Sequence, residues 1–304
     1  MSFLEVRNLS YKYFYGALAV SDVSFTAKKG QVLTLLGKSE SGKTSLLKCI
    51  AGIRKPACGE ILLDGETIPK EGKKKNVGMI FENGMFFENR TVGYNLLYPL
   101  RIRKFEKADS EGKVRFVLDK FGLRGSEGNK VRNLTAAERI KLALARADLR
   151  ETQILLCDDI LKICNQDDRE NLFCSLWQFL TEKAEKSIVI YATKEKNEAL
   201  KNNGETVLMN YGTVMQRGSA SDIAAKPLSI YAVDYFHKNV EIVNATIKPI
   251  ENQIFIILNG EKIFLEKKKF LSDIYLDKEV KVWKNEKGEI SLFDSGSEKI
   301  IYFN

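Results

Sequence analysis

The sequence predicts an α/β domain followed by a small all-β tail, on three observations. Over residues 1–236, short apolar runs alternate with segments of helical periodicity. Residues 37–44 form a glycine-rich loop set between a strand-like run and a helix-like one. After His237 the pattern changes to paired strand-like runs around turn residues.

Each element follows from its own stretch. Residues 3–6 and 19–27 read as strands. QVLTLLG (31–37) is an apolar run ending in glycine, as a strand buried on both faces should be. Thr44 to Ile50 has helical spacing, with Gly52 placed to cap its end. NVGMIF (76–81) reads as a further strand. Residues 91–150 are mostly helical, with Val114, Val117, Leu118 and Phe121 at helical spacing. QILLCDD (153–159) and SIVIYAT (187–193) are two more buried strands. In the tail, IFIILNGEKIFL (254–265) predicts a hairpin turning at Asn259-Gly260, and EVKVWKNEKGEISLF (279–293) a second turning at 285–288. Together they predict a small β-barrel or sheet.

Composition bounds what such a chain does. Of 304 residues, 44% are hydrophobic and 29% charged, which excludes a disordered chain. The net charge of +8 raises the question of nucleic acid or a membrane surface, against the plainer reading of a solvated basic surface. The lysine runs at Lys73-Lys74-Lys75 and Lys267-Lys268-Lys269 are short and carry no interleaved aromatics, so no nucleic-acid partner is expected. Five cysteines form no C-x-x-C pair, so reduced cytosolic thiols are expected rather than zinc or disulfides. The N-terminus has no signal-peptide core, and no apolar run approaches the ~18 residues that span a bilayer. Any membrane role would go through partner subunits.

The loop Gly37-Lys38-Ser39-Glu40-Ser41-Gly42-Lys43-Thr44 matches G-x-x-x-x-G-K-[ST]. Glycines let a backbone wrap phosphates, and successive N–H groups with the following helix N-terminus cradle negative charge. Lys43 would reach the β- and γ-phosphates, and Thr44 would offer its hydroxyl to Mg²⁺. Ser45 follows directly and is taken with the loop as nucleotide-binding. A glycine turn between strand and helix is the plainer alternative.

With this loop placed, the first 236 residues resemble an ABC transporter ATPase, most of all the ATP-binding subunits of maltose-type and glycerol-phosphate-type sugar importers. RTVGYNLLYPLRIRK (90–104), LMNYGTVMQRGSASDIAAKPLSIYAVDYF (208–236) and SLFDSGSEKIIY (291–302) carry the likeness beyond the loop. The resemblance implies a P-loop NTPase core of ABC type with a helical subdomain at about 85–150 and an antiparallel β subdomain. A nucleotide-binding domain over 1–236 would be followed by an OB-like β domain over 237–304. It further implies Mg-ATP bound at a dimer interface, between the phosphate loop of one subunit and the signature loop of the other. The implied partners are transmembrane permease subunits, a second ATP-binding subunit and an extracellular substrate-binding protein. The implied location is the cytoplasmic face of the membrane.

Several motif positions depart from that pattern. Tyr13 stands where the family places an aromatic on adenine, with Phe14 as its rival and strand packing as the plain alternative. Glu82 replaces the Q-loop glutamine. It could bind Mg²⁺, could repel the γ-phosphate, or could be an exposed loop residue. Leu134-Thr135-Ala136-Ala137-Glu138 replaces the Leu-Ser-Gly-Gly-Gln signature. Thr135 keeps a hydroxyl and forms a T-x-x-E capping box with Glu138, while Ala137 adds a Cβ where glycine lets backbone approach phosphate. Asp158 ends the second nucleotide motif and would hold the Mg²⁺ shell. Asp159 stands where the family has its glutamate base. A carboxylate drawn back by about an ångström can cost ~10²-fold in rate. Lys194 replaces the histidine that meets the γ-phosphate. It could pair with phosphate or simply face solvent. His237, the one histidine, belongs to the helix leading out of the domain.

The set predicts a subunit that still binds Mg-ATP but seldom hydrolyses it, paired with a competent sibling in a heterodimer or, alternatively, with a second copy in a homodimer. The alternatives are an active ATPase with Asp159 as base and Lys194 in the histidine's place, and a non-transport interaction module on the same fold.

Overall fold

The computed structural model describes residues 2–68, 77–202, 204–237, 242–250, 253–258, 261–265, 279–285 and 288–303. It divides into two compact units, Met1–Val214 and Met215–Asn304, so His237 falls inside the second.

In chain order the first unit holds β1 (Phe3–Lys12), β2 (Leu18–Lys28), β3 (Val32–Leu36), α1 (Lys43–Ile50), β4 (Cys58–Leu63), β5 (Glu66–Thr67) and β6 (Val77–Ile80). Then come α2 (Val92–Ile102), α3 (Lys107–Lys120), α4 (Ala136–Asp148), β7 (Ile154–Asp158), α5 (Gln166–Ala184), β8 (Ile188–Thr193), α6 (Lys196–Leu200) and β9 (Glu205–Asn210). β10 (Thr213–Ser219) carries the chain from the first unit into the second.

β9, β3, β8, β7 and β6 lie side by side in that order, and β3, β7 and β8 are buried along their whole length. Strands covered on both faces need no polar alternation, which is why they read as continuous apolar runs. All their pairings are parallel, so their carboxyl ends gather along one edge, where open α/β sheets receive ligands. An antiparallel sheet in the order β2-β1-β4-β5 shares a core with α1 and one face of the parallel sheet, through Leu4, Phe25, Leu46, Leu47 and Leu35. The other face packs on α4 and α5. A separate core of Leu96, Leu100, Val114, Val117, Leu118 and Leu142 binds α2, α3 and α4 into a helical subdomain.

β4 and β5 escaped the sequence pattern. They turn through Asp64-Gly65, both at positive φ, the two-residue hairpin signal. Gly59 is required in β4, since a Cβ there would lie 2.4 Å from the Arg7 carbonyl. Gly52 closes α1 at φ +67, donating its N–H to the Cys49 carbonyl.

The second unit continues with α7 (Ala220–Ala225), α8 (Ile230–Phe236), β11 (Val243–Ile250), β12 (Gln253–Leu258), β13 (Glu261–Leu265), β14 (Glu279–Lys284), β15 (Ile290–Asp294) and β16 (Ile300–Phe303). Its six strands form one antiparallel sheet in the order β13-β12-β11-β14-β15-β16. The two expected hairpins are β12–β13 and β14–β15. Their turn residues Asn259, Gly260, Glu286 and Lys287 lie outside the described residues, as do both lysine runs. β11 and β16 carried no hairpin signal of their own. α8 packs Ile230 and Val233 on Trp283 and Phe293. His237 ends α8 with its ring 4.8 Å from Trp283 and its Nε2 2.9 Å from the Ala224 carbonyl, a structural placement. Among the described residues no helix is long and apolar enough to cross a membrane.

Candidate functional site

The loop between β3 and α1 is fixed by close backbone approach. A Cβ on Gly37 would lie 2.4 Å from the Met209 carbonyl, and one on Gly42, at φ +95, would lie 2.4 Å from the Ala19 carbonyl. Glu40 also adopts positive φ, at 65°. No side chain caps α1, so the first turn presents its backbone N–H groups at the loop. Lys43 is 7% exposed, and its Nζ donates to the carbonyls of Gly37 (2.6 Å) and Lys38 (2.9 Å) and to Ser41 Oγ (3.0 Å). Burial lowers the Lys43 pKa to about 8, against the pull of Asp159 and Asp158 and with the push of Lys194 and Lys162. The ammonium is therefore poorly solvated where it sits, and an anion placed in the loop would restore what burial removed.

Thr44 Oγ1 donates to Asp158 Oδ1 at 2.8 Å, joining the loop to the end of β7. Burial pushes the Asp158 carboxyl up, while the Thr44 bond and the nearby Lys48 pull it down. Among the described residues no group of three His, Cys, Asp or Glu side chains is gathered for a metal. A hydroxyl with one carboxylate suits Mg²⁺, which keeps waters and takes substrate phosphates as its other ligands. Tyr13 is tied to the same corner, its hydroxyl 2.8 Å from Ser45 Oγ and its ring edge-on to Tyr11. It is half-exposed, whereas Phe14 is 98% exposed. Loop, lysine, Thr44–Asp158 pair and aromatic rim fit a nucleotide polyphosphate with its cation.

The residues expected to act on water are arranged differently. Asp159 takes φ +42 directly after β7, and its N–H donates to the Ala192 carbonyl on β8. Its Oδ1 lies 3.8 Å from Arg169 Nη2, and both atoms are buried without a hydrogen-bond partner. Arg169, on α5, donates from Nε to Glu198 Oε1 at 2.7 Å. Glu198 Oε2 accepts from the hydroxyls of Tyr191 and Thr193, both at 2.6 Å. Burial raises the Asp159 pKa to about 6, Glu198 adding to it while Arg169 opposes. Glu82 pairs with Lys162 at 2.9 Å, so its carboxylate has a cation of this chain as partner. Lys194 is exposed after β8, near enough to Lys43 and Asp159 to shift both. Arg169, Glu198 and Lys162 were not singled out from the sequence. The alternating charges of ATKEKNEAL were its only hint.

Thr135 and Ala137 lie apart, at the start of α4, which packs on α2, α3, α5 and β6. The capping box is present: Thr135 Oγ1 accepts from the Glu138 N–H (3.2 Å), and the Thr135 N–H donates to Glu138 Oε2 (2.8 Å). Between this subdomain and β6 lies a cavity of about 360 Å³. Met85, Phe87, Tyr98 and Ile102 line it with Arg103, Arg146 and Arg150. Burial lowers the Arg146 pKa to about 10.

Known proteins resemble the chain in this same region. The ABC transporter family model matches residues 20–162. An Fe(3+) ions import ATP-binding protein FbpC of Mannheimia succiniciproducens is 28% identical over 77% of this chain and 66% of its own length. A spermidine/putrescine import ATP-binding protein PotA of Spiroplasma citri is 30% identical over 86% of this chain and 73% of its own. The chain thus spans about two thirds of the length of the ferric-import relative. Among solved structures, cbiO1 from Clostridium perfringens, part of the ABC transporter complex cbiONQ, superposes with a TM-score of 0.65 at 21% identity. That match covers 73% of this chain and 90% of that one, and the two share the fold.

Proposed function

The chain belongs to the ABC transporter ATP-binding family, and on that premise we propose that it is the nucleotide-binding subunit of an importer whose own site binds Mg-ATP tightly and hydrolyses it slowly. Members of this family bind ATP with Mg²⁺. The contrast that carries the proposal is between Lys43 with the Thr44–Asp158 pair, left facing the loop, and Asp159, turned toward Arg169.

In this reading residues 37–45 hold the phosphates and Tyr13 shelves the base. Thr44 and Asp158 hold the cation, which when bound neutralises phosphate charge and orients the terminal phosphate. Asp159 is the group that would take a proton from water. Its carboxylate is short and drawn to Arg169, which places it poorly for the attacking water, so proton removal is slow. Lys194 supplies charge in the place of an imidazole. Thr135 and Ala137 face the nucleotide of a second ATP-binding subunit, and a competent sibling supplies the faster site. The apolar groove with its arginines takes the permease subunits, which keep the chain at the cytoplasmic face of the membrane. An extracellular substrate-binding protein completes the system. The named relatives are ATP-binding proteins of Fe(3+) and spermidine/putrescine import, which gives the sugar cargo suggested by the sequence resemblance no support. We assign 1–236 to the nucleotide-binding domain and 237–304 to the β domain.

Equilibrium titration of the purified chain with Mg-ATP tests the reading. Saturable binding is expected, reduced at least about tenfold in Lys43→Ala, since the lysine's bonds to phosphate are charge-assisted. Equal binding by the two proteins would rule the loop out as the phosphate site.

A further inference from the structure

Glu82 and Lys162 leave the sheet side by side. β6 and β7 are parallel with Ile80 opposite Cys157, so the segments beyond them emerge together at the carboxyl edge. A tight turn, with the Lys162 N–H on the Asp159 carbonyl at 3.0 Å, brings Lys162 back over this edge. There its ammonium meets Glu82 Oε1 at 2.9 Å. The two side chains are 45% and 43% exposed, so the pair sits at the mouth of the site rather than in its core.

An ion pair this exposed adds little to stability. Its consequence is the field it sets. Glu82 adds its charge to that of Asp158, and Lys162 acts on Asp158, Asp159 and Lys43 alike. Without Lys162, Glu82 would be a further carboxylate beside Asp158 and Asp159, where a polyphosphate has to arrive, and like charges at such range repel. With Lys162 the charge of Glu82 is cancelled and a half-exposed ammonium is held at the entrance. The loop and α1 serve the phosphates lying along them. The β6–β7 edge is what a phosphate extending past Thr44 and Asp158 would meet.

We infer that Lys162 is a further phosphate-binding residue, serving the terminal phosphate of a nucleoside triphosphate and held in place for it by Glu82. This rests on the nucleotide-binding reading above. It also makes the pair a determinant of triphosphate over diphosphate, because only the longer chain of phosphates reaches that edge.

The test is a set of equilibrium titrations of the full chain with Mg-ATP and with Mg-ADP. It compares wild type, Lys162→Gln, Glu82→Gln and the double variant, with thermal melting as a check on folding. Lys162→Gln should weaken Mg-ATP about tenfold and Mg-ADP less than about threefold, the size expected for losing one charge-assisted contact. Glu82→Gln should weaken Mg-ATP by about threefold, because Lys162 is no longer held at the edge, and the double variant should recover only the smaller part of the Lys162→Gln loss that comes from the unpaired carboxylate. Folded Lys162→Gln protein that binds Mg-ATP like the wild type would overturn the inference and leave nucleotide binding standing. An equal loss for both nucleotides would overturn the terminal-phosphate assignment. A wild-type chain that binds no Mg-ATP would remove the nucleotide reading, and this inference with it.

Discussion

Two loops leave the same edge of the parallel sheet, one between β3 and α1 and the other between β7 and α5, and they hold their polar groups for different partners. In the first, Lys43 donates to the loop's own carbonyls, the first turn of α1 is uncapped, and Gly37 and Gly42 are fixed by close backbone approach. In the second, Asp159, Arg169 and Glu198 face one another, with Tyr191 and Thr193 closing the network. The first arrangement gains when a ligand arrives. The second is largely paired within the chain, through the bonds to Glu198, although Asp159 Oδ1 and Arg169 Nη2 face each other at 3.8 Å without a hydrogen bond. Asp159 is still a carboxylate after β7, with the half-buried Arg169 beside it at 3.8 Å.

If that division is right, the second loop should govern stability and the first should govern binding. Glu198→Ala removes the hub of a buried network and leaves Arg169 with reduced compensation, so it should cost about 3–5 kcal/mol in denaturant unfolding. A loss under about 1 kcal/mol would break the comparison. Lys43→Ala should behave oppositely. It should lower Mg-ATP affinity by about 10–100-fold while leaving the melting temperature unchanged or raised, since it discards a lysine that burial disfavours.

How much of this the sequence revealed differs between the same two regions. The phosphate loop was legible because its chemistry is local: the glycines, lysine and threonine that act together are consecutive. The buried strands β3, β7 and β8 were legible as apolar runs for the same reason. The Asp159 network was not, since Arg169 is ten residues on and Glu198 lies on α6, and only the pairing of β7 with β8 brings them together. Lys162 carried no signal in the sequence, and only the register of β6 and β7 shows Glu82 beside it. β4, β5, β11 and β16 are short or mixed in pattern and take their strand character from the neighbours they pair with.

Smaller effects sharpen the contrast. In the helical subdomain, Asp148 bonds Lys183 at 2.7 Å and Lys120 at 3.1 Å. Burial alone would raise its pKa, but the two lysines outweigh burial and hold it below the usual carboxylate range. A carboxyl depressed in the folded state adds stability above its unfolded pKa of about 4, lost as pH falls through the folded value. Asp148→Asn should therefore destabilise at pH 7 and progressively less as the pH falls below about 4, read from unfolding curves across that range. Two glycines make a last pair. Gly42→Ala should destabilise by about 1–3 kcal/mol, given its positive φ and the Ala19 carbonyl. Gly112→Ala, in α3 with open space around it, should stabilise by up to about 1 kcal/mol. The same sign for both in thermal melts would mean that the loop is not held by its glycines.

On the proposed function, nucleotide binding and turnover have come apart in this chain. Mg-ATP affinity and steady-state phosphate release measured on one preparation, with Lys43→Ala beside it, test that most directly. Saturable binding that the variant loses is expected, with turnover far below the ~1 per second at the low end of ordinary enzymes. Turnover at or above that rate, abolished by Asp159→Ala, would contradict it and make Asp159 a working base despite Arg169.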